Sequence, residues 1–195
     1  GPMSEKQDKY VRIIYKNSQD ALAFMNKIIE LAKTESNLFE YNNQIFDIVN
    51  TVQVLSTDFE TEAVNKNLEW SFDASEISKK SIFSDENAIK VILRNILEIS
   101  LNMTDVGSIS VSITHPSKEI VASHGFEVPE NDEEYNEKGY LMFKIADTGS
   151  GYSDIEMTDL FEPYMQLDKP NKKNIARSIS LASVKNLVNR SEEHT

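Results

Sequence analysis

The sequence predicts an α+β fold with a mixed sheet. Three observations carry that prediction. Long runs with apolar residues at three- and four-residue steps read as helices, and short runs with alternating apolar residues read as strands. Their order is helix, helix, strand, strand, helix, strand, strand, helix, helix, which lacks the strict alternation of a doubly wound sheet. The chain has 195 residues, 39% hydrophobic and 27% charged, enough to bury a core without disulfides or a structural metal.

The opening Gly1-Pro2-Met3 reads as a protease-cleavage scar and contributes nothing to the fold. From about Tyr10 to Glu35 the residues Val11, Ile14, Ala21, Leu22, Met25, Ile28, Ile29 and Ala32 form a wide apolar stripe on a helix that needs a partner. A second helix is expected from Tyr41 to Asn65, with Ile45, Ile48, Val49, Val52, Leu55, Phe59 and Ala63 on one face. Leu68 to Phe72 alternates as a half-buried strand, and Ile82-Phe83 suits a short one. Ser84 or Asp85 is the expected N-cap of the next helix, Glu86 to Met103, with its stripe on Ile89, Ile92, Leu93, Ile96 and Leu97. Gly107 punctuates, and Ile109 to Ile113 alternates strictly. Pro116 to Gly139 is polar and acidic, and reads as a long solvated hairpin loop. Tyr140 to Ile145 is another strand, Asp154 to Leu160 a short helix, Gln166 to Lys173 a polar loop, and about Ser180 to Asn189 the last helix.

Composition excludes several function classes. There are 20 Lys and Arg against 32 Asp and Glu, a net charge of −12, which argues against binding nucleic acid or an anionic membrane. No apolar run has the length of a membrane span. Cys is absent, so disulfide scaffolds, thiolate zinc sites and thiol nucleophiles are excluded. His115, His124 and His194 stand at no metal-ligand spacing.

The stretch that points to chemistry is Asp147-Thr148-Gly149-Ser150-Gly151, directly after a strand. Two glycines one residue apart allow a tight turn and a close approach to a ligand. An Asp at the strand end can accept a hydrogen bond from an exocyclic amine such as that of adenine. The string alone suits a plain turn equally well.

Its neighbours narrow the reading. Asn95 lies mid-helix about fifty residues upstream, the Gly107 turn and a strand follow, and Phe161-Glu162-Pro163-Tyr164 comes downstream. In this order and spacing the chain resembles the catalytic ATP-binding domain of sensor histidine kinases, within the superfamily that also holds type II topoisomerases and heat-shock chaperone ATPases. The stretch from Tyr10 to Asn37 resembles the second helix of that family's dimerisation domain. The resemblance runs from Tyr10 to Asn189 and implies a two-layer α/β sandwich. It divides the chain into the scar at 1–3, a dimerisation helix at 4–37 and the ATPase domain at 38–195. The family carries two more strands after its last helix, which this sequence does not include: either the sequence is a cut piece or the sheet is shorter.

The resemblance also marks departures. The family's helix motif, Asn-Leu-Leu-x-Asn-Ala-x-Lys-Phe-Thr, stands here as Asn95 to Thr104. The first Asn is kept as Asn95, the candidate for a catalytic role. The second, which in the family binds Mg²⁺, is Ile99, and an alkyl side chain offers no oxygen to a hard cation. The family's Lys is Asn102. Its phosphate loop Gly-x-Gly-Leu-Gly-Leu corresponds to Ala176-Arg177-Ser178-Ile179-Ser180-Leu181, with all three glycines replaced. The family's phosphoacceptor His precedes the dimerisation helix, and this sequence has no His before His115.

The resemblance therefore implies a two-component phosphorelay module with degenerate metal and phosphate motifs, impaired in catalysis and acting by protein contact. An active ATP-dependent kinase with an atypical site is the alternative. The residues implied at the nucleotide are Asn95, Asp147, Gly149, Gly151, Phe161, Arg177, Ser178 and Ser180. The resemblance implies weak binding of ATP or ADP at most, and the loss of the family's Mg²⁺ ligand at Ile99 counts against Mg²⁺, although Glu98 offers a carboxylate nearby. The expected partners are a second copy through the N-terminal helix and a response-regulator receiver domain, with no nucleic acid and no direct membrane contact. The expected location is cytoplasmic, as part of a larger sensor.

Overall fold

The computed structural model describes residues 3–36, 41–131, 133, 135, 139–152, 161 and 172–193. In chain order the elements are α1 (Glu5–Glu35), β1 (Gln44–Asp47), α2 (Ile48–Asn65), β2 (Glu69–Asp73), β3 (Ser81–Ser84), α3 (Glu86–Met103), β4 (Ser108–Thr114), α4 (Lys118–Ser123), β5 (Met142–Asp147) and α5 (Lys172–Glu193). They fall into two compact units, Asn42–Tyr152 on one side and Gly1–Tyr41 with Ser153–Thr195 on the other.

The unit Asn42–Tyr152 is the α+β body. Its larger sheet has the order β2-β4-β5, with β2 parallel to β4 and β4 antiparallel to β5, so the sheet is mixed as expected. The strict alternation of β4 turns Ile109, Val111 and Ile113 inward, each almost fully buried. Against them pack Ile48, Val52, Leu55 and Phe59 of α2 and Leu93, Leu97 and Leu101 of α3, residues at the three- and four-residue steps that align one helical face. A two-stranded ribbon joins β1 antiparallel to β3. Its Phe46 and Ile82 pack on the core, while the facing pair Ile45 and Phe83 stands largely exposed.

Caps fix where the helices begin. Asp47 accepts the Asn50 N–H at 2.9 Å and starts α2. Asp85, rather than Ser84, starts α3 by accepting the Ala88 N–H at 2.8 Å. Lys66 closes the far end of α3 by donating to the Leu101 carbonyl at 2.7 Å, a cation placed where the helix dipole is negative. Trp70 donates its indole N–H to Ser56 at 2.9 Å and stacks on Phe59.

The other unit is built from α1 and α5. Ser4 and Gln7 form a capping box, so α1 begins at Glu5, five residues before the sequence pattern starts. Leu31 packs with Ile179 and Ala182, and Phe24 and Ile175 flank them. Tyr41 donates its hydroxyl to the Leu187 carbonyl at 2.7 Å.

Several expectations are corrected. The helix expected from Tyr41 begins at Ile48, because β1 occupies 44–47 and the Asp47 cap separates the two. Ile45 therefore sits on a strand, outside the helical stripe. The stripe read on α1 is unaltered as a pattern: Val11, Ile14, Leu22, Met25, Ile28 and Ile29 are exposed in the single chain, and the buried positions are Leu31 and Thr34. The expected loop 116–139 contains the short helix α4, capped by Ser117. The strand expected at 140–145 runs from Met142 to Asp147, because it continues to pair with β4 as far as Ile109. The last helix begins at Lys172 instead of Ser180, which places 176–181 inside a helix. The helix expected at 154–160 and most of the loop at 166–173 lie outside the described residues.

Candidate functional site

The turn at 147–151 grows from the end of β5. Asp147 is the last residue of that strand and faces Ile109 across the ladder. Its side chain is exposed, and one carboxylate oxygen accepts the Gly149 N–H at 2.9 Å, closing an Asx turn.

The turn is fastened on two sides. Thr148 donates its backbone N–H to the Ser108 carbonyl at 3.1 Å, and the Ser108 N–H returns to the Thr148 hydroxyl at 3.0 Å. This reciprocal pair carries the β4–β5 ladder one step past its last regular partner. Gly107 lies against it with φ +113°, and a Cβ there would fall 2.0 Å from Thr148 Oγ1. On the other side a Cβ on Gly149 would meet the Met103 carbonyl oxygen at 2.7 Å. Glycine at 149 is thus required by the chain end of α3 itself, without any ligand. Gly151 also has a left-handed backbone, φ +66°, with open space where a Cβ would point.

The remaining predicted residues are placed as follows. Asn95 lies on α3 in the same unit, only 4% exposed, and donates to the Val91 carbonyl one turn back at 3.0 Å. Ile99, one turn further along α3, is 8% exposed, so its alkyl side chain is covered. Asn102 is exposed. Arg177, Ser178 and Ser180 stand in the other unit, on α5. Ser178 donates to the Ile175 carbonyl at 2.9 Å, and Ser180 accepts from the Lys27 ammonium of α1 at 2.8 Å. Both serines are buried, and Arg177 is half-buried. Phe161 is exposed, and its neighbours on both sides lie outside the described residues.

Within Asn42–Tyr152 the structure brings Asp147, Gly149 and Gly151 together with Gly107, Thr148 and Met103. Sequence reasoning singled out neither Thr148 nor Met103. The signal was a hydroxyl-bearing residue between the two halves of the motif, but its partners lie some forty positions upstream. Among the described residues no group of three His, Cys, Asp or Glu side chains converges to hold a metal.

Charge is tuned elsewhere in the unit. Hydrogen bonds from Lys90 and from the Thr51 hydroxyl hold the Glu86 carboxyl below its ordinary range. The backbone and side chain of Ser75 do the same for Asp73. Burial, with the neighbouring Tyr140 and Glu119, pushes the Tyr135 phenol up.

No family model matches the chain. Its curated relatives are sensor histidine kinases. It is 23% identical over 186 residues to the autoinducer 2 sensor kinase/phosphatase LuxQ of Vibrio harveyi, covering 95% of this chain and 20% of that protein. It is 28% identical over 191 residues to the hybrid signal transduction histidine kinase A of Dictyostelium discoideum, covering 95% of this chain and 8% of that protein. It is 24% identical over 189 residues to the histidine protein kinase DivJ of Caulobacter vibrioides, covering 95% of this chain and 28% of that protein. The chain thus spans about a fifth of the length of the first of these relatives. Among solved structures it superposes on full-length ShkA in complex with AMPPNP, with TM-score 0.67, 21% identity, and 96% of this chain against 34% of that one. It also superposes on the Acinetobacter baumannii histidine kinase AdeS, with TM-score 0.55, 17% identity, and 96% against 75%. The resemblance read from the sequence therefore holds, and the fold is that of histidine-kinase catalytic domains. No described helix is long and apolar enough to cross a membrane.

Proposed function

We propose that this chain is a phosphorelay signalling module whose histidine-kinase-type ATPase fold has lost efficient phosphoryl transfer and acts by protein contact. The observation that carries the reading is Ile99. At the position where the resembled family places its Mg²⁺ ligand, α3 presents a covered alkyl side chain. Phosphoryl transfer needs the charge on the phosphates neutralised and the γ-phosphate positioned. An isoleucine supplies neither. The segment that matches the family's glycine loop supports the same reading, because here it lies within α5 with Ser178, Ile179 and Ser180 buried. A helix interior spends its N–H groups on its own carbonyls and offers none to a phosphate.

The adenine end is better kept. Asp147 is exposed, and its turn is firmly built. ATP or ADP then binds weakly and without Mg²⁺, through the base more than the phosphates. The exposed apolar stripe of α1 supplies the contact surface for a second copy, and a response-regulator receiver domain is the partner of the dimer. The module works on the cytoplasmic side of a larger sensor.

One observation favours the alternative, an active kinase with an atypical site. The fold neighbour ShkA was solved with AMPPNP. Calorimetric titration with ATP and ADP, with and without Mg²⁺, separates the two, together with transfer from labelled ATP to an added histidine-bearing domain. Weak binding indifferent to Mg²⁺, with no transfer, is the expected result. Mg²⁺-dependent micromolar binding with robust transfer overturns it.

A further inference from the structure

From the geometry of the 147–151 turn we infer that the Thr148 hydroxyl is a positioning residue that fixes Asp147 to accept the amine of an adenine base, and that Gly107 exists to make room for it. The inference rests on the nucleotide reading above and names the device that sets base specificity at that site.

Asp147 has two carboxylate oxygens. One is taken by the Gly149 N–H at 2.9 Å. Among the described residues no hydrogen bond reaches the other, and the side chain is exposed. An oxygen so placed reads an amino group only if its carboxylate plane is held, because a strand-end Asp otherwise turns freely about its side-chain bonds. The Asx bond to Gly149 holds it, and that bond lasts only while residues 148 and 149 keep their turn.

Thr148 keeps the turn. Its hydroxyl accepts the Ser108 N–H at 3.0 Å and donates to the Val106 carbonyl at 3.3 Å, while its own N–H donates to the Ser108 carbonyl at 3.1 Å. One side chain thus ties the β5 end to both residues flanking Gly107. A methyl group on Gly107 would lie 2.0 Å from this oxygen, and the residue has φ +113°, where side chains are strained. Gly107 and Thr148 therefore form one lock. None of its atoms needs to touch the ligand, so Thr148 acts through Asp147.

Three variants test this: Thr148→Val removes the hydroxyl at nearly constant shape, Thr148→Ser restores it, and Gly107→Ala pushes it away. Two readouts are used: the backbone amide resonance of Gly149, and the affinities for ATP and GTP measured without Mg²⁺. A melting curve confirms that each variant is folded. Thr148→Val and Gly107→Ala should move the Gly149 amide toward the position of a free N–H. They should weaken ATP binding roughly fivefold, the loss expected for one hydrogen bond, and bring ATP and GTP closer together. Thr148→Ser should return both readouts to wild-type values. Wild-type binding of ATP over GTP that persists in a folded Thr148→Val variant, with the Gly149 amide unmoved, overturns this inference and leaves the nucleotide reading standing. A wild-type chain that takes up neither nucleotide overturns both.

Discussion

The carboxylate of Asp85 accepts the backbone N–H of Asn42 at 2.7 Å while its other oxygen caps α3 at Ala88. One buried side chain thus binds the entrance of β1 to the start of the central helix. Asp85→Ala removes a helix cap and leaves the Asn42 N–H without its protein acceptor. The cap is worth about 1–2 kcal/mol and the bond to the exposed Asn42 about 1 kcal/mol at most, so a destabilisation of about 1–3 kcal/mol is expected. The urea midpoint should fall without a change in slope. A midpoint within error of wild type would show that water replaces the carboxylate.

Glu86, the next residue, contributes to how the fold responds to acid. Its carboxyl is held below the ordinary range by Lys90 and Thr51, so the folded chain takes up that proton less readily than the unfolded one. The stabilisation is complete above the unfolded value and is lost as pH falls through the folded one. The gap in urea midpoint between wild type and Glu86→Gln should therefore be widest near neutral pH. It should narrow as the pH falls below the ordinary glutamate range. A gap that stays constant over that range would place the effect in packing.

Trp70 offers a direct optical test of the sheet–helix contact. Its indole N–H ends on the buried Ser56 hydroxyl at 2.9 Å. Ser56→Ala leaves that donor unpaired and should cost about 1–2 kcal/mol. This is the sole tryptophan, so its emission reports the change without interference. An unchanged midpoint would mean that the N–H finds solvent.

The proposed self-association through α1 predicts a separation of effects. Ile14→Glu together with Leu22→Glu places two charges in the exposed stripe, far in sequence from Leu31 and Thr34. Light scattering over a range of concentrations should show a dimer in wild type and a monomer in the double variant. The Trp70 unfolding transition should stay in place. A wild-type chain that is monomeric at every concentration would sink the proposal.

How much of this was legible in the sequence follows from where each signal lies. The helix α3 was readable because its cap Asp85 and the stripe through Leu93 and Leu97 are local, and β4 was readable because Ile109, Val111 and Ile113 alternate. β1 was hidden because Ile45 stands at a helical step from Ile48 and Val49, so a helical pattern absorbed it. Which residues of α1 pack within its own unit was hidden for a related reason. Apolar residues cover more of that helix than one partner can bury, and only the contact with Ile179 and Ala182 selects Leu31. At the site, the Asp147 turn was visible as a motif. The need for Gly149 was not, because the atom that excludes a side chain there is a carbonyl at Met103, and nothing about that carbonyl is written in its residue type.

The pairing register also bears on how quickly the fold can be reached. Among the described strands none meets its partner across a tight hairpin. β2 joins β4 only after β3 and α3 have intervened, and even the nearest facing pair sets Thr114 opposite Met142. Each pairing must close a long loop before it is rewarded, so the refolding rate should be of the millisecond-to-second class of non-local topologies. The helices α2 and α3, whose backbone hydrogen bonds are local, can form ahead of these pairings, although their mutual contacts, such as Thr51 with Glu86, close a loop as long as those of the sheet.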